Sequence, residues 1–248
     1  MSSATAAAMM DLRGKTAVVT GAARGLGLVI AEALAREGMR VAGIDVKREE
    51  LDEAMRSIGQ RYGVDTLSFA GDIGDERTVR SFVADTMRQW NRIDVLVNNA
   101  GIRKIAPVWE TSVEMWDEIH NANLKGHFLC TREVLNQAMR PANDGVIIVI
   151  SSGSGKKGEE DSSAYCASKW GVIGFAESVA KDLKKSRIRT TTITPGMILT
   201  PMARESEAWG LGLDWLDPSA VAEAVVFCVK QDADTIIPEL RIYHRAQV

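Results

Sequence analysis

The sequence predicts one α/β domain built on a doubly wound, parallel sheet of seven strands flanked by helices. Short apolar segments rich in β-branched residues alternate with longer amphipathic segments, with roughly one strand every 20 to 30 residues. This alternation is typical of βαβ units, whose crossovers are right-handed. The chain has 248 residues and 46% apolar content, enough for one large core. Because no internal repeat or linker interrupts the pattern, we expect a single domain at residues 12–248. Residues 1–11 are expected to form a flexible tail.

The charge balance and the absence of long apolar runs restrict the possible partners. A formal net charge of −3 gives no reason to expect nucleic acid or an anionic membrane. Residues 1–10 lack the basic start and apolar stretch of a signal peptide. No apolar run approaches the ~20 residues that cross a bilayer. We therefore expect a soluble, cytoplasmic protein.

The cysteines and histidines show neither a disulfide nor a metal-binding pattern. The three cysteines are odd in number and form no Cys-x-x-Cys pair, which favours a reducing compartment. The three histidines are scattered and are interpreted as surface or packing residues. These six residues are Cys130, Cys166, Cys228, His120, His127 and His244. The sequence therefore predicts no metal site.

Lys15–Thr20 is predicted to be the first strand, and a glycine-rich turn joins it to a helix that ends near Gly38. The turn contains Gly21, Gly25 and Gly27. A strand, a glycine turn and a helix in this order bring backbone N–H groups and the positive end of a helix onto a pyrophosphate. The spacing differs from the Gly-x-Gly-x-x-Gly dinucleotide fingerprint, so the turn alone is equally compatible with a packing role.

Arg40–Asp45 is predicted to be the second strand, and it ends in an acid. A carboxylate there can accept hydrogen bonds from both hydroxyls of an adenine ribose and would repel a 2′-phosphate, which favours NAD over NADP. The basic residues Lys47, Arg48 and Arg24 are near in sequence, and one of them folded over the ribose would make NADP acceptable. Asp45 is also compatible with the N-cap of the next helix.

Two further predicted strands end in small or amide residues. Asp65–Ala70 leads into Gly71–Ile73, and Arg92–Val97 leads into Asn98–Gly101. Small and amide side chains suit a strand end where a ligand approaches the backbone closely. The alternative is a turn with a helix cap for the first segment and a plain Asn/Gly turn for the second.

Residues Thr111–Met139 are predicted to form one long helix. A capping box, Thr111-Ser-Val-Glu114, begins it and Pro141 ends it. Asn123 and Gly126 lie inside this helix although both residue types are poor helix formers. Their position predicts a local distortion with a functional purpose, and placement of Asn123 on the surface is the alternative.

A combination of reactive side chains follows the predicted strand Gly145–Ile150. Ser152 lies where this buried strand opens into a loop. Tyr165 and Lys169 are four residues apart and share one face of a helix. A free phenol with a pKa near ~10 is a poor proton acceptor at neutral pH, but a neighbouring ammonium favours the phenolate. The pattern indicates an activated tyrosine, although this spacing is also common in ordinary helices.

The last part of the chain supplies two strands and a helix. Arg187–Thr194 and Thr235–Tyr243 are the predicted strands, and Asp217-Pro218 is a good N-cap and first-turn pair for the helix between them. Residues 201–216 are expected to form a short lid or, alternatively, an amphipathic surface helix. The apolar residues of this segment include Trp209, Leu211, Leu213 and Trp215.

Together these motifs resemble the short-chain dehydrogenase/reductase family over residues 12–244. The family carries Thr-Gly-x-x-x-Gly-x-Gly, an Asp with an apolar residue, Asn-Asn-Ala-Gly, a helical Asn, a Ser before Tyr-x-x-x-Lys, and Pro-Gly followed by Thr. The matching residues are Thr20–Gly27, Asp72–Ile73, Asn98–Gly101, Asn123, Ser152, Tyr165, Lys169 and Pro195–Thr200. The resemblance implies a Rossmann-type fold and an oxidoreductase.

The resemblance also implies a role for each matched residue. Tyr165 would exchange a proton with the substrate oxygen, and Ser152 would hydrogen-bond that oxygen. Lys169 would lower the pKa of Tyr165 and bind the nicotinamide ribose, and Asn123 would hold Lys169 through a water. The residues implied to bind NAD are Gly21, Arg24, Gly25, Leu26, Gly27, Asp45, Asp72, Ile73, Asn99, Ala100, Gly101, Tyr165, Lys169, Pro195, Gly196, Ile198 and Thr200.

The implied reaction is hydride transfer between NAD(H) and a secondary alcohol or ketone. One alternative is a cofactor-binding sensor or structural relative without activity, and another is a lyase or dehalogenase on the same scaffold. Charged residues of both signs lie beside the predicted site, and most of them are interpreted as solvated. They are Arg103, Lys104, Lys156, Lys157, Glu159 and Glu160.

The helix that carries Tyr165 also bears a row of small residues. Family members usually assemble through this helix and the preceding one, so the resemblance implies a homotetramer or homodimer. Close packing within the monomer is the alternative. The small residues are Ala164, Ala167, Ser168, Gly171 and Gly174. The sequence departs from the family after the last predicted strand, where an Asp-Gly-Gly is usual.

Overall fold

The computed structural model describes residues 9–204 and 214–248. Its strands are β1 (Thr16–Thr20), β2 (Arg40–Asp45), β3 (Thr66–Ala70), β4 (Val95–Asn98), β5 (Asp144–Ile150), β6 (Arg187–Pro195) and β7 (Glu239–Ile242). They form one sheet in the order β3-β2-β1-β4-β5-β6-β7, and every neighbouring pair is parallel. The predicted parallel sheet of seven strands is therefore confirmed.

Helices pack against both faces of this sheet. They are α1 (Gly25–Arg36), α2 (Arg48–Tyr62), α3 (Glu76–Trp90), α4 (Val113–His120), α5 (Gly126–Val134), α6 (Arg140–Ala142), α7 (Ser163–Asp182), α8 (Pro201–Arg204) and α9 (Pro218–Lys230). Successive strand residues point to opposite faces, so Val19 packs with α1, α2 and α9, whereas Val18 packs with α3, α5 and α7. The two apolar layers give the doubly wound architecture that the alternation of elements predicts.

Two predicted strands differ from the observed ones by more than one residue at an end. β4 begins at Val95 rather than Arg92, because the Asp94 carboxylate bonds to the N–H of Thr16 (2.8 Å) and to Arg92 (2.8 Å). β7 covers only Glu239–Ile242 of the predicted Thr235–Tyr243. Pro238 precedes it, and a proline has no N–H to extend the ladder.

The predicted helix Thr111–Met139 is divided in the structure. Its N-cap is Ser112 rather than Thr111, since the Ser112 hydroxyl accepts from the N–H of Met115 (3.1 Å). Wider π-helical turns at Asn121–Lys125 and Leu135–Met139 separate α4, α5 and α6. The distortion predicted around Asn123 is thus confirmed. Pro141 lies inside α6, and the C-cap residue that follows α6, Asn143, has the left-handed conformation.

A buried arginine joins β6 to the end of α9. The guanidinium of Arg189 donates hydrogen bonds to the carbonyls of Cys228 (3.0 Å), Val229 (3.1 Å) and Gln231 (2.9 Å). The last carbonyls of a helix have no partner within the helix, and a cation there also complements the helix dipole. Burial lowers the pKa of Arg189 from its usual value. This contact fixes α9 against the sheet.

Replacing Arg189 with leucine should therefore lower the free energy of unfolding by about 2–4 kcal/mol, because buried carbonyls lose their donors. Urea denaturation monitored by circular dichroism measures this quantity. Arg187→Leu is the matched control, since Arg187 is exposed on the same strand and should change stability by less than about 0.5 kcal/mol. Equal effects of the two substitutions would contradict the assignment.

Candidate active site

A cavity of about 680 Å³ opens at the carboxyl ends of the strands, where parallel sheets usually bind ligands. The structure places all but one of the predicted site residues on its wall. They are Gly21, Arg24, Gly25, Leu26, Gly27, Asp45, Asp72, Ile73, Asn99, Ala100, Gly101, Ser152, Tyr165, Lys169, Pro195, Gly196, Ile198 and Thr200. The exception is Asn123, which lies behind the wall.

The glycine turn brings β1 and the start of α1 into close contact. The N–H of Gly21 bonds to the carbonyl of Ile44 on β2 (2.8 Å). A Cβ atom on Gly27 would collide with the Gly21 carbonyl and come within 2.6 Å of the Asn99 amide nitrogen. Arg24, which precedes α1, makes no side-chain capping bond to the first turn. The first N–H groups of a helix are the kind of donors that bind an anion.

Asp45 holds the turn as well as facing the cavity. Its carboxylate accepts hydrogen bonds from the N–H groups of Ala23 (3.2 Å) and Lys47 (3.0 Å). The N-cap of α2 is Lys47, so the reading of Asp45 as the N-cap is wrong. The Lys47 ammonium pairs with Glu50 at 2.8 Å, so this cation is engaged on α2.

Asp72 and Ile73 have separate environments. Asp72 is exposed and accepts from the N–H of Gly74 (2.8 Å), which is the turn that the sequence allowed. The cap of α3 is instead Asp75, which accepts from the N–H of Arg77 (3.1 Å). Ile73 is buried in the core beneath the cavity.

The Asn-Asn-Ala-Gly segment is fastened to β1. The Thr20 hydroxyl accepts from the N–H groups of Asn99 (2.9 Å) and Ala100 (3.0 Å), and the Asn99 amide donates to the Thr20 carbonyl (2.9 Å). The neighbouring Asn98 is buried and donates to Thr131 (2.9 Å). Hydrogen bonds therefore connect this segment to the neighbouring central strand, so it is more than a plain turn.

Asn123 is fully buried, which excludes its placement on the surface. Its side-chain oxygen accepts from the N–H of Ile102 (2.8 Å), and its amide nitrogen donates to the Ile102 carbonyl (2.9 Å) and to Ser168 (3.0 Å). A Cβ atom on Gly101 would lie 3.1 Å from Asn123 Oδ1 and 3.5 Å from Lys169 Nζ. Asn123 and Lys169 thus flank the same glycine, with the π-helical turn supplying the position of Asn123.

Ser152, Tyr165 and Lys169 all line the cavity. Tyr165 and Lys169 lie on α7 and are only 7% and 4% exposed. The Lys169 ammonium is 5.8 Å from the centre of the Tyr165 ring and donates to the carbonyl of Ile150 (3.2 Å). Ser152 follows β5, and its hydroxyl oxygen accepts from the N–H of Ser154 (3.2 Å).

Burial controls the ionisation of this group. It raises the pKa of Tyr165, while the hydrogen bond from Ser152 and the charge of Arg103 act in the opposite direction. It also lowers the pKa of Lys169 to about 8. Both shifts follow from the loss of hydration around the charged forms.

Arg103 lies at the site, as expected from the sequence, but the sequence reasoning gave it no role. Its guanidinium lies 5.9 Å from the centre of the Tyr165 ring, 3.9 Å from the Glu159 carboxylate and 3.4 Å from the Ser162 hydroxyl. Arg103 and Glu159 both line the cavity. Arg103 is partly exposed and Glu159 is exposed, which agrees with the interpretation that most charged residues beside the site are solvated. The position of Arg103, two residues after the Asn-Asn-Ala-Gly motif, was the available signal.

Two other wall residues gave no sequence signal. Tyr243 and Gln247 line the cavity, yet they lie far from every motif in sequence. Trp215, which was predicted to belong to the lid, also lines the cavity. Of the predicted lid, Trp209, Leu211 and Leu213 fall outside the described residues.

The histidine that lies nearest the site is a packing residue, as predicted. His127 is buried, its Nε2 is 2.9 Å from the Ala100 carbonyl oxygen, and burial lowers its pKa to about 3. Within residues 9–204 and 214–248, no group of three His, Cys, Asp or Glu side chains is suited to hold a metal ion. The helices in these same ranges are all too short or too polar to span a bilayer.

Comparison with known proteins agrees with this geometry. The sequence profile described as short chain dehydrogenase matches residues 15–210. D-threitol dehydrogenase of Mycolicibacterium smegmatis is 35% identical over 80% of this chain and 75% of its own length.

Two solved structures are similar over nearly the whole chain. A metagenomic short-chain oxidoreductase in complex with NADP has a TM-score of 0.83 and 31% identity, covering 94% of this chain and 98% of its own. A variant of actinorhodin polyketide ketoreductase with NADPH has a TM-score of 0.86 and 30% identity, covering 92% and 95%. Sequence, fold and site geometry agree, and this chain belongs to the short-chain dehydrogenase family of oxidoreductases.

Proposed function

We propose that the protein transfers a hydride between NAD(H) and a secondary alcohol or ketone, with Tyr165 as the general acid/base. The observation that carries this proposal is that Ser152, Tyr165 and Lys169 share one cavity with the glycine turn. A proton donor for a substrate oxygen and a crevice for a dinucleotide therefore face the same space.

The residues of the cavity fit a nicotinamide dinucleotide. The first turn of α1 offers N–H groups to the pyrophosphate, and Asp45 offers a carboxylate to the adenine ribose. Lys169 would bind the nicotinamide ribose, and the backbone of Ile198 with the Thr200 side chain would hold the carboxamide. When bound, the nicotinamide supplies the carbon that accepts or donates the hydride.

The proton steps belong to side chains of this chain. In the oxidation direction Tyr165 removes the hydroxyl proton of the substrate, while Ser152 hydrogen-bonds the same oxygen. The Lys169 ammonium favours the phenolate, and Asn123 would hold Lys169 through a water. A positioned general base contributes ~10² to 10⁴ in rate, so orientation of the substrate carbon must supply the rest.

NAD is the proposed cofactor because Asp45 ends β2 at the cavity. A carboxylate there opposes a 2′-phosphate, and the Lys47 ammonium is engaged by Glu50. The two solved structures described above contain NADP or NADPH, so the opposite preference is the competing hypothesis. A direct comparison of the two cofactors decides between them.

A secondary alcohol of the polyol type is the proposed substrate. The cavity combines apolar walls such as Trp215 and Met202 with the polar groups of Arg103 and Glu159. Hydroxyl groups bond well to both signs of charge, and a relative named D-threitol dehydrogenase supports the same class.

We also infer a homodimer or homotetramer built on α5 and α7. Phe128 and Trp170 are exposed apolar residues on these helices, and Gly174 has open space above it. Gly171 instead packs within the monomer, because a Cβ there would lie 3.0 Å from Leu124. Small residues on α7 would therefore serve both the contact between subunits and the packing within the monomer.

Replacing Tyr165 with phenylalanine should reduce turnover by ~10² to 10⁴, because the proton acceptor is removed while the ring remains. NADH binding, measured by fluorescence titration, should stay near the wild-type value. Tyr62→Phe on α2 is the matched control. Near-normal turnover of the Tyr165 variant would reject the assignment.

Replacing Asp45 with serine should shift the ratio of kcat/KM for NAD over NADP toward NADP by about tenfold or more, because the opposing carboxylate is removed. Steady-state kinetics with both cofactors measure the ratio. Asp65→Ser, which removes an exposed acid near β3, should leave it unchanged. A wild-type protein that already prefers NADP would show that the NAD proposal is wrong.

Replacing Arg103 with glutamine should move the pH profile of alcohol oxidation to higher pH. The charge of Arg103 lowers the pKa of Tyr165, so its removal raises that pKa and delays formation of the phenolate. The profile of kcat/KM against pH reports this group in the free enzyme. Lys104→Gln removes the neighbouring cation, which pairs with Glu118 away from the cavity wall, and should not shift the profile.

A further inference from the structure

The residues after β7 return to the cavity. Tyr243 and His244 lead into a short 3₁₀ turn, Arg245–Gln247, which is capped by the His244 ring accepting from the N–H of Ala246 (3.3 Å). This path places Tyr243, Ala246 and Gln247 on the cavity wall. The segment is the part of the sequence that departs from the family pattern.

Gln247 uses its whole side-chain amide to hold two other segments. Its Oε1 accepts from the N–H of Met197 (3.0 Å), and its Nε2 donates to the carbonyls of Met197 (3.1 Å) and Asp214 (2.7 Å). The first two bonds pair the amide with the backbone N–H and C=O of a single residue, as a neighbouring strand would. Both N–H donors of the amide are thereby satisfied.

Met197 lies in the loop Pro195–Thr200, which is the loop assigned above to the nicotinamide carboxamide. The same loop pairs with the segment that follows Asp214. The N–H of Leu216 bonds to the Met197 carbonyl (2.8 Å), and the N–H of Leu199 bonds to the Leu216 carbonyl (2.9 Å). On the other edge of the loop, the N–H of Gly196 bonds to the carbonyl of Ile242 on β7 (2.8 Å). Gln247 adds further hydrogen bonds to this loop, at Met197.

Close packing shows that this contact is built into the loop. A Cβ atom on Gly196 would collide with Gln247 Oε1 and would lie 2.7 Å from Tyr243 Cδ1. On the other side of the segment, Glu239 of β7 pairs with Lys156 (2.9 Å), which belongs to the loop after Ser152. The chain after β6 is thus tied to both the catalytic loop and the Pro195–Thr200 loop.

We propose that Gln247 is a positioning residue that fixes the Pro195–Thr200 loop in the conformation that binds the nicotinamide end of the cofactor. This inference rests on the proposed function, because it needs a dinucleotide in the cavity. Gln247 acts through the backbone of Met197 and Asp214 and does not itself enter the chemistry. The side chain must accept one hydrogen bond and donate two.

The test compares Gln247→Glu and Gln247→Ala with the wild-type protein. Glutamate keeps the size and the acceptor but loses both donors and faces two carbonyls with a carboxylate. The affinity for NADH, measured by fluorescence titration, should fall roughly tenfold in both variants, and at least as far with glutamate as with alanine. The KM for the cofactor should rise by a similar factor, with a smaller change in kcat.

Gln60→Glu and Gln60→Ala are matched controls, because Gln60 is exposed on α2. Thermal melting of all four variants should resemble that of the wild type. Wild-type cofactor affinity in Gln247→Glu would overturn the proposal, and so would a loss of affinity that only follows a loss of thermal stability. A larger loss with alanine than with glutamate would assign Gln247 a packing role instead.

The same titration separates the two hypotheses. If the wild-type protein binds neither NADH nor NADPH, the proposed function fails and the role of Gln247 fails with it. If the wild-type protein binds and turns over but Gln247→Glu behaves identically, only the role of Gln247 is rejected.

Discussion

The rest of the site depends on the hydrogen bonds that the Thr20 hydroxyl accepts. It holds the N–H groups of Asn99 and Ala100, and so joins the end of β4 to the end of β1. The sheet order changes direction between these two strands, and a parallel sheet leaves a crevice at such a point. The glycine turn and Gly101 therefore border one opening. Every other side chain of the site is brought to that opening by a neighbouring strand or helix.

Burial sets the electrostatics of the Tyr165–Lys169 pair. Tyr165 and Lys169 are almost completely enclosed, and loss of hydration disfavours both the phenolate and the ammonium. Hydrogen bonds and nearby cations have to offset this cost for a buried phenol to act as a base. Arg103 is one such cation, and its pairing with Glu159 keeps it beside the ring. The low dielectric of the buried site disfavours the charged forms, but it also strengthens the hydrogen bonds and charge interactions formed there.

Sequence patterns gave the wrong helix and strand bounds where tertiary contacts determine the backbone conformation. The helix predicted at Thr111–Met139 is interrupted by π-helical turns, one of which places Asn123 against Ile102 and Ser168. Only the distortion could be anticipated, from the poor helix propensity of Asn and Gly. β7 is shorter than predicted because Pro238 lacks the N–H that the ladder needs. Apolar periodicity carries no information about which amide partners are within reach.

The sequence by itself determined the alternating parallel fold and the positions of most site residues. Those residues follow strands directly, and the carboxyl ends of parallel strands must meet at one edge, so Asp45, Asn99 and Ser152 converge without any knowledge of loops. Only the tertiary structure decided the contacts of Arg103 and Gln247. Their contacts depend on how two distant segments cross the same edge, because a hydrogen bond to a backbone carbonyl or a cation beside a ring leaves no periodic trace in the chain.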